Sequence, residues 1–482
     1  MKRIDVLPDD VLLEIFDFYL DVRAGVRNTG RGLAVEAWQL LVHVCRRWRT
    51  LIFRSPRRLN LRLYCTSKTP AKDTLDVWPT LPLIVEGVAS SSGTDNIIAA
   101  LGQSNRIHEI SLRGRAGRPL EKVLATMEVP YPELTVIRLS SVHVIRQIIP
   151  DLFLGGSAPR LQYVDLSGIP FPGLPKLLLS TNHLVYLHLS NIPHSGYISP
   201  EAMVALISVL PTLASFHLGF ESPQSRPDRG SQSLPPPKHS ILPALYEFRF
   251  TGVTEYLEEL VTRIDTPQLK TLEIIFFNQT DFDIPQLAQF ISRKPTLTAP
   301  DKAFVQFAEI TSSIELQYRT SESGLEIALA ISCRESDWQV SSIEQVCNSF
   351  LPPILVEDLY IRVDSNGVWK NVVIENAQWL QTLLPFTAVK DLYLSKIHAP
   401  GIAAALQELV GGRTTEVLPS LQNIFVEGLG VEPSGPFQEN IGLFVAARQL
   451  SDHPITISDW DDDLDEDSSD LDEDPDPDWD EN

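Results

Sequence analysis

The sequence predicts an α/β chain of stacked strand–helix repeats, with a small all-α domain ahead of it and an acidic segment behind. Three observations carry this. A short apolar pattern returns every 23–33 residues through most of the chain. The first 55 or so residues hold apolar stripes at helical spacing instead. Asp459–Asn482 holds 15 acidic residues and no basic one.

The 482 residues are 43% hydrophobic and 21% charged, which excludes a wholly disordered or collagen-like chain. No uninterrupted apolar run reaches the ~18 residues of a membrane span. The start, Met1-Lys2-Arg3-Ile4-Asp5, has no apolar run with a cleavage site of the kind a secretory signal carries. Cys45, Cys65, Cys333 and Cys347 show neither a disulfide framework nor metal-ligand spacing. The expectation is reduced thiols in an intracellular protein, cytoplasmic or nuclear. The net charge is −22, yet residues 1–72 carry 14 basic and 7 acidic residues. Global acidity argues against nucleic acid as the main ligand, because phosphate binding needs a basic surface.

In the amino-terminal segment, Asp9 or Asp10 caps a helix running to Leu20. Val11, Leu12, Ile15, Phe16 and Tyr19 form a wide apolar face, and Leu13, Phe18 and Leu20 lie off it. After a polar loop, Asp21–Val35, a second helix spans Glu36–Phe53. Its stripes are Trp38, Leu41, Cys45, Trp48, Ile52 and Leu40, Val44, Arg47, Leu51. Helices apolar on two sides, in a unit near the lower size limit for a core, point to a surface completed by another protein. Nearby, Arg46, Arg47, Arg49, Arg54, Arg57, Arg58 and Arg62 form a basic cluster. It is read as a solvated face, or as pairing with acidic repeat residues or the tail.

From Ile107 onward the pattern apolar-x-x-apolar-x-apolar recurs, as in Leu134, Ile137, Leu139, then Leu161, Val164, Leu166, then Leu184, Leu187, Leu189, and so to Leu421, Ile424, Val426. The alternating end of each copy suits a strand with one face inward. Helical stretches intervene at Pro200–Pro211, Glu255–Ile264, Ile343–Leu351, Ala377–Leu384, Gly401–Val410 and Asn440–Gln449. One strand and one helix per repeat at this period resembles an irregular leucine-rich-repeat solenoid, with parallel strands on the concave face and helices on the convex face. The turn Asn of strict repeats is mostly missing: Asn191 follows Leu189, but Ser167-Gly168 follows Leu166. The wide gap from 269 to 356 is expected to hold one or two degenerate copies, around Ile314–Tyr318 and Leu325–Ile331. The domains read as 1–55 helical, 56–90 a linker or cap, 91–458 repeats with a loop insertion at 222–240, and 459–482 a disordered acidic tail.

The amino-terminal residues resemble a known family. Leu7-Pro8-Asp9-Asp10-Val11-Leu12-Leu13-Glu14-Ile15-Phe16, with Leu41-Val42-His43-Val44-Cys45-Arg46-Arg47-Trp48-Arg49, is similar to an F-box. Ser55-Pro56-Arg57-Arg58-Leu59-Asn60-Leu61 resembles the F-box proteins of basidiomycete fungi. The F-box likeness covers about residues 4–53, and the loop between its helices is longer than in compact F-boxes. The resemblance implies adaptor work in an SCF-type ubiquitin ligase: the box docks on Skp1, and through it a cullin, while the repeats hold a client protein. By motif position, Leu7 and Pro8 lead into Skp1. Val11, Leu12, Ile15, Phe16, Leu41, Val44, Cys45 and Trp48 share the apolar seam, some facing Skp1 and some the box's own core.

No phosphate-cradling, nucleophile-elbow or zinc-protease motif occurs, so no catalytic residue, metal or cofactor is expected. His43 and Cys45 lie two apart, on different helix faces, and cannot pair. Residues between the core positions of their strands are candidates for client contact: His188, His217, Arg249, Glu273, Tyr393 and Phe425. The acidic repeat region favours a basic or neutral client. Ser468 and Ser469 lie in acidic surroundings that suit an acid-directed kinase. The alternative reading is a repeat scaffold for protein interaction with no ubiquitin role.

Overall fold

The computed structural model describes residues 7–25, 37–54, 61–67, 70–77, 80–115, 117–141, 152–170, 174–227, 239–278, 282, 284–293, 300–318, 326–333, 336–350, 356–363, 374–429 and 436–460. The acidic tail beyond Trp460, with Ser468 and Ser469, lies outside them, as do Arg57, Arg58, most of the loop after the first helix and most of the 222–240 insertion. The chain divides into two compact units, Met1–Leu269 and Lys270–Asn482.

The first unit opens with three helices: α1 (Asp9–Gly25), α2 (Ala37–Val44) and α3 (Arg46–Arg54). Two expectations change here. The first helix continues past Leu20 to Gly25, and the single second helix is broken at Cys45. The break lets α2 and α3 each turn an apolar side inward: Leu41 and Val42 from one, Ile52 from the other, against Leu12, Leu13 and Phe16.

Eight strands follow in sheet order β1 (Leu61–Cys65), β2 (Leu83–Ala89), β3 (Ile107–Gly114), β4 (Val136–Ser141), β5 (Tyr163–Ser167), β6 (Tyr186–Ile192), β7 (Ser215–Phe220) and β9 (Glu247–Gly252). All neighbours are parallel. The short β8 (Ser240–Ile241) and β10 (Ile264–Asp265) pair separately. Ile264 therefore belongs to a strand, not to the preceding helix. The ladder begins at Leu61, inside the segment expected to be a linker, so β1 and β2 are strands the repeat pattern did not mark.

Helices α4 (Ala71–Val77), α5 (Thr94–Leu101), α6 (Gly117–Ala125), α7 (Leu174–Leu179), α8 (Pro200–Ile207) and α9 (Thr254–Val261) lie between strands. The Ser199 hydroxyl caps α8 by accepting from Ala202 N at 3.3 Å, with Pro200 in the first turn as its fixed φ favours. The pattern residues form the core: Ile137, Leu139, Val164, Leu166, Leu187 and Leu189 are all buried, with Met203, Ile207, Leu257 and Leu260 from the helices. Removing each such side chain from water contributes roughly 1.5–3 kcal/mol. No single repeat closes that core, which is why the copies stack.

A second regularity sits one residue ahead of each strand. Thr135 N donates to His108 O, Gln162 N to Thr135 O, Val185 N to Gln162 O, Ala214 N to Val185 O and Tyr246 N to Ala214 O, all at 2.8–2.9 Å. The relay carries the ladder into the approach segment and satisfies amides that would otherwise be stranded.

The second unit orders its strands β11 (Thr271–Phe277), β14 (Glu326–Ser332), β13 (Thr311–Gln317), β12 (Lys302–Phe307), β15 (Asp358–Val363), β16 (Asp391–Leu394), β17 (Asn423–Glu427) and β18 (Thr456–Trp460). Its helices are α10 (Pro285–Ser292), α11 (Ser336–Phe350), α12 (Asn376–Leu383), α13 (Ala399–Gln407) and α14 (Pro436–Leu450). Here the all-parallel expectation fails. β13 runs antiparallel to both β12 and β14. The link from β12 to β13 is a tight turn, closed by Ala308 N donating to Thr311 O at 2.8 Å, and a parallel crossover needs a dozen residues or more. The expected degenerate copies are thus two strands of a three-stranded meander, and β12 was not foreseen. Asp459 and Trp460 also leave the tail, because they end β18, which pairs with β17.

Candidate functional site

Three surfaces carry side chains that the core does not use. The first is the amino-terminal helical group. Val11 (39% exposed), Ile15 (45%), Phe18 (71%) and Val44 (59%) present apolar side chains to solvent, while Leu12, Phe16 and Leu41 are buried. The ten seam residues are therefore sorted. Leu12, Phe16 and Leu41 serve the group's own packing. Val11, Ile15 and Val44 face outward with Pro8, and Leu7, Cys45 and Trp48 are half-buried. Arg47 ties the two helical stretches together: its Nη2 donates to Leu7 O and to Asp9 Oδ1, both at 2.6 Å. Of the basic cluster, Arg62 pairs with Glu86 across β1 and β2 at 3.1 Å.

The second surface is the open face of the first unit's sheet, opposite the helices. Strand alternation and register place Ser111, Arg138, Asp165, His188, His217 and Arg249 in one row across β3 to β9. Three of the expected client residues, His188, His217 and Arg249, are thus brought side by side. Beside them runs a hydrogen-bonded chain. Arg249 Nε donates to Glu247 Oε1 at 2.8 Å and Ser215 Oγ donates to Glu247 Oε2 at 2.7 Å. His188 Nε2 lies 3.1 Å from Ser215 Oγ. Burial works against ionised Glu247, but the bonds from Ser215 and Arg249 outweigh it and hold its carboxyl below the usual range. Burial lowers His188, and it brings His217 down to about 4 with help from His188 and Arg249. Both imidazoles are neutral at pH 7. Burial raises Asp165, with His188 and Arg138 opposing.

The third surface is the open face of the second unit's sheet. Phe304, Tyr360, Tyr393 and Phe425 form a stack across β12, β15, β16 and β17, with centroid separations of 4.5, 4.2 and 4.6 Å and rings within 16° of parallel. Trp460 meets Tyr360 and Tyr393 at a steep angle. The Arg362 guanidinium lies 5.0–5.6 Å from the rings of Phe304, Tyr360 and Trp460. Burial and the facing Asp391 carboxylate raise Asp358 at the edge of this stack. Tyr393 and Phe425 are therefore neighbours, whereas Glu273 stands apart on β11, in register with Ala328 of β14.

The rule that selected six face residues, a position between two core positions, also reaches Arg138, Asp165 and Tyr360, which were not singled out. Phe304 carried no signal, because β12 lies outside the repeat pattern. Among the described residues, no three His, Cys, Asp or Glu side chains gather as a metal-ligand set, and no helix is long and apolar enough to cross a membrane.

No family model matches the chain, and no curated protein matches it. Among solved structures, the chain is similar to the leucine-rich-repeat-containing protein LegL7 from Legionella pneumophila. The two are 12% identical, with 82% of this chain and 98% of that chain covered, at a TM-score of 0.28. The repeat character rests on the chain's own strands and helices: each unit is a mixed α/β body with a mostly parallel sheet, like a leucine-rich repeat.

Proposed function

We propose that the chain is a non-catalytic interaction protein, the substrate receptor of an SCF-type ubiquitin ligase. Its amino-terminal helices dock a Skp1-type adaptor, and through it a cullin, and its repeat units hold a client protein. The observation that carries this reading is the division of one short apolar segment into a buried set, Leu12, Phe16 and Leu41, and an exposed set, Val11, Ile15, Phe18 and Val44. An uncovered apolar cluster on so small a helical group favours a protein partner. The motif residues Leu7-Pro8 through Trp48 give that partner its chemistry. Such a receptor acts by proximity, raising the effective concentration of a client lysine near the charged ubiquitin carrier.

The test is co-purification of the full chain with Skp1, comparing wild type with Leu7→Ala/Pro8→Ala and with Val11→Asp/Ile15→Asp. Loss of Skp1 and cullin in both variants is expected. Capture of client without Skp1 or cullin by the wild type would favour a repeat scaffold with no ubiquitin role.

A further inference from the structure

We propose that Asp165 and His188 form a seat on the open face of the first unit for one arginine side chain of the bound protein. This deepens the receptor reading and rests on it for the source of the arginine, a client protein.

The chain Arg249–Glu247–Ser215–His188 fixes a tautomer. Ser215 has one hydroxyl proton and gives it to Glu247, so His188 Nε2 is the donor in its 3.1 Å contact with Ser215. In the neutral ring Nδ1 then carries a lone pair and can only accept. Asp165, the register partner of His188 on the neighbouring strand, is half-buried and accepts no hydrogen bond from any described residue. Two acceptor-bearing side chains therefore sit side by side on adjacent strands, whose backbones run about 5 Å apart. Arg138, on the far side of Asp165, acts on its carboxylate through charge but gives it no hydrogen bond: it pairs with Glu109 and lies 4.6 Å over the Tyr163 ring. Burial raises Asp165, with His188 and Arg138 opposing, so a further cation at the carboxylate would favour its charged form.

Tyr186 stands edge-on to His188, with ring centroids 6.3 Å apart, and forms one wall. On the opposite side the row continues with Ser190 and Gly219. Gly219 is buried, and a Cβ added there would come into contact with Thr251 Cβ at 3.4 Å, His217 Nε2 at 3.5 Å and Ser190 Cα at 3.7 Å, so a larger side chain at this position would press on the row. A site made of acceptors, with an aromatic wall and a small-residue floor, selects a ligand rich in donors. The planar guanidinium offers five N–H groups in a fork and suits two acceptors on adjacent strands better than a point ammonium does.

The experiment uses the full chain labelled with carbon-13 at histidine Cε1, the His188 signal being assigned from His188→Gln. The probe is the peptide Ac-Gly-Gly-Arg-Gly-Gly-NH2, with lysine and citrulline analogues. A saturable shift of the His188 signal is expected with the arginine peptide, with at least tenfold weaker binding of the citrulline peptide and of arginine to Asp165→Asn. Gly219→Leu should abolish the shift. The Asp165→Asn and Gly219→Leu controls separate binding at this seat from peptide held elsewhere on the chain. No shift, equal shifts for arginine and citrulline, or unchanged affinity in Asp165→Asn would each overturn the seat. Backbone spectra establish that the variants are folded. Skp1 capture is measured separately, so failure here leaves the adaptor reading standing, and failure of Skp1 capture leaves this titration interpretable.

Discussion

The rings of Phe16 and Trp48 meet 4.7 Å apart at 58°, joining α1 to α3, with α2 between them in sequence. Phe16 is fully buried by this contact and Trp48 half-buried. The indole of the basic cluster is thus spent in packing. One side of α1 is committed to the group's own core and the other is not.

That division predicts two kinds of variant. Phe16→Ala should cost roughly 3–5 kcal/mol locally, by loss of a large buried ring, and should expose residues 7–54 to rapid amide exchange. Val11→Asp/Ile15→Asp should leave exchange in the same segment nearly unchanged, because both side chains already face water. Equal loss of protection in the two would show that the outward face is also structural.

The repeat turns predict a ranking. Gly168, Asn191 and Gly428 each lie two residues past the last residue of an apolar pattern copy (Leu166, Leu189 and Val426), and all have positive φ, at 69°, 50° and 67°. The turn therefore asks for a left-handed residue, which Gly or Asn supplies. A Cβ at Gly168 would overlap the Ser141 carbonyl oxygen, whereas one at Gly428 meets nothing within 4 Å. Gly428→Ala should cost about 1–2 kcal/mol and Gly168→Ala distinctly more, as read from urea midpoints. Asn191→Gly should change little.

Arg448 predicts a large effect far from any candidate surface. Its guanidinium is fully buried and donates to the carbonyl oxygens of Thr414, Leu418, Pro419 and Leu421 at 3.1–3.4 Å. It closes the loop 414–421 onto α14. Arg448→Met should cost roughly 3–5 kcal/mol by stranding those carbonyls, and Arg448→Lys should not restore it, since an ammonium lacks the fork. Thermal unfolding of the two variants checks this.

Acid should weaken both units through buried histidines. Burial lowers His217 and His398 to about 4 each, against about 6.5 in an unfolded chain. The unfolded state then binds more protons between these values, so stability falls as pH drops below about 6.5, and the loss is complete near pH 4. The limit is roughly 3–4 kcal/mol per histidine. His398 packs edgewise on Phe307 and Trp379, so His398→Phe should keep the packing and flatten its share of the pH dependence between 7.5 and 5. An unchanged slope in that variant would assign the acid sensitivity elsewhere.

The amino-acid order by itself determined which residues are buried. Every residue of the apolar pattern from Ile107 to Val426 is buried, and the last two of each copy lie in a strand, because alternation records which side of a strand faces inward. It also located the helices from α8 onward except α10, and five of the residues now found beside one another on the open faces: His188, His217, Arg249, Tyr393 and Phe425. Alternation is the same for parallel and antiparallel pairing, so the reversal of β13 waited on the short link at 308–310 and on the neighbours it finds in space. The place of β1 and β2 in the ladder, the break at Cys45 and the hydrogen-bonded chain from Arg249 to His188 were decided by tertiary structure alone. Each depends on partners about 20 to 60 residues away, and a local pattern holds no record of distant neighbours.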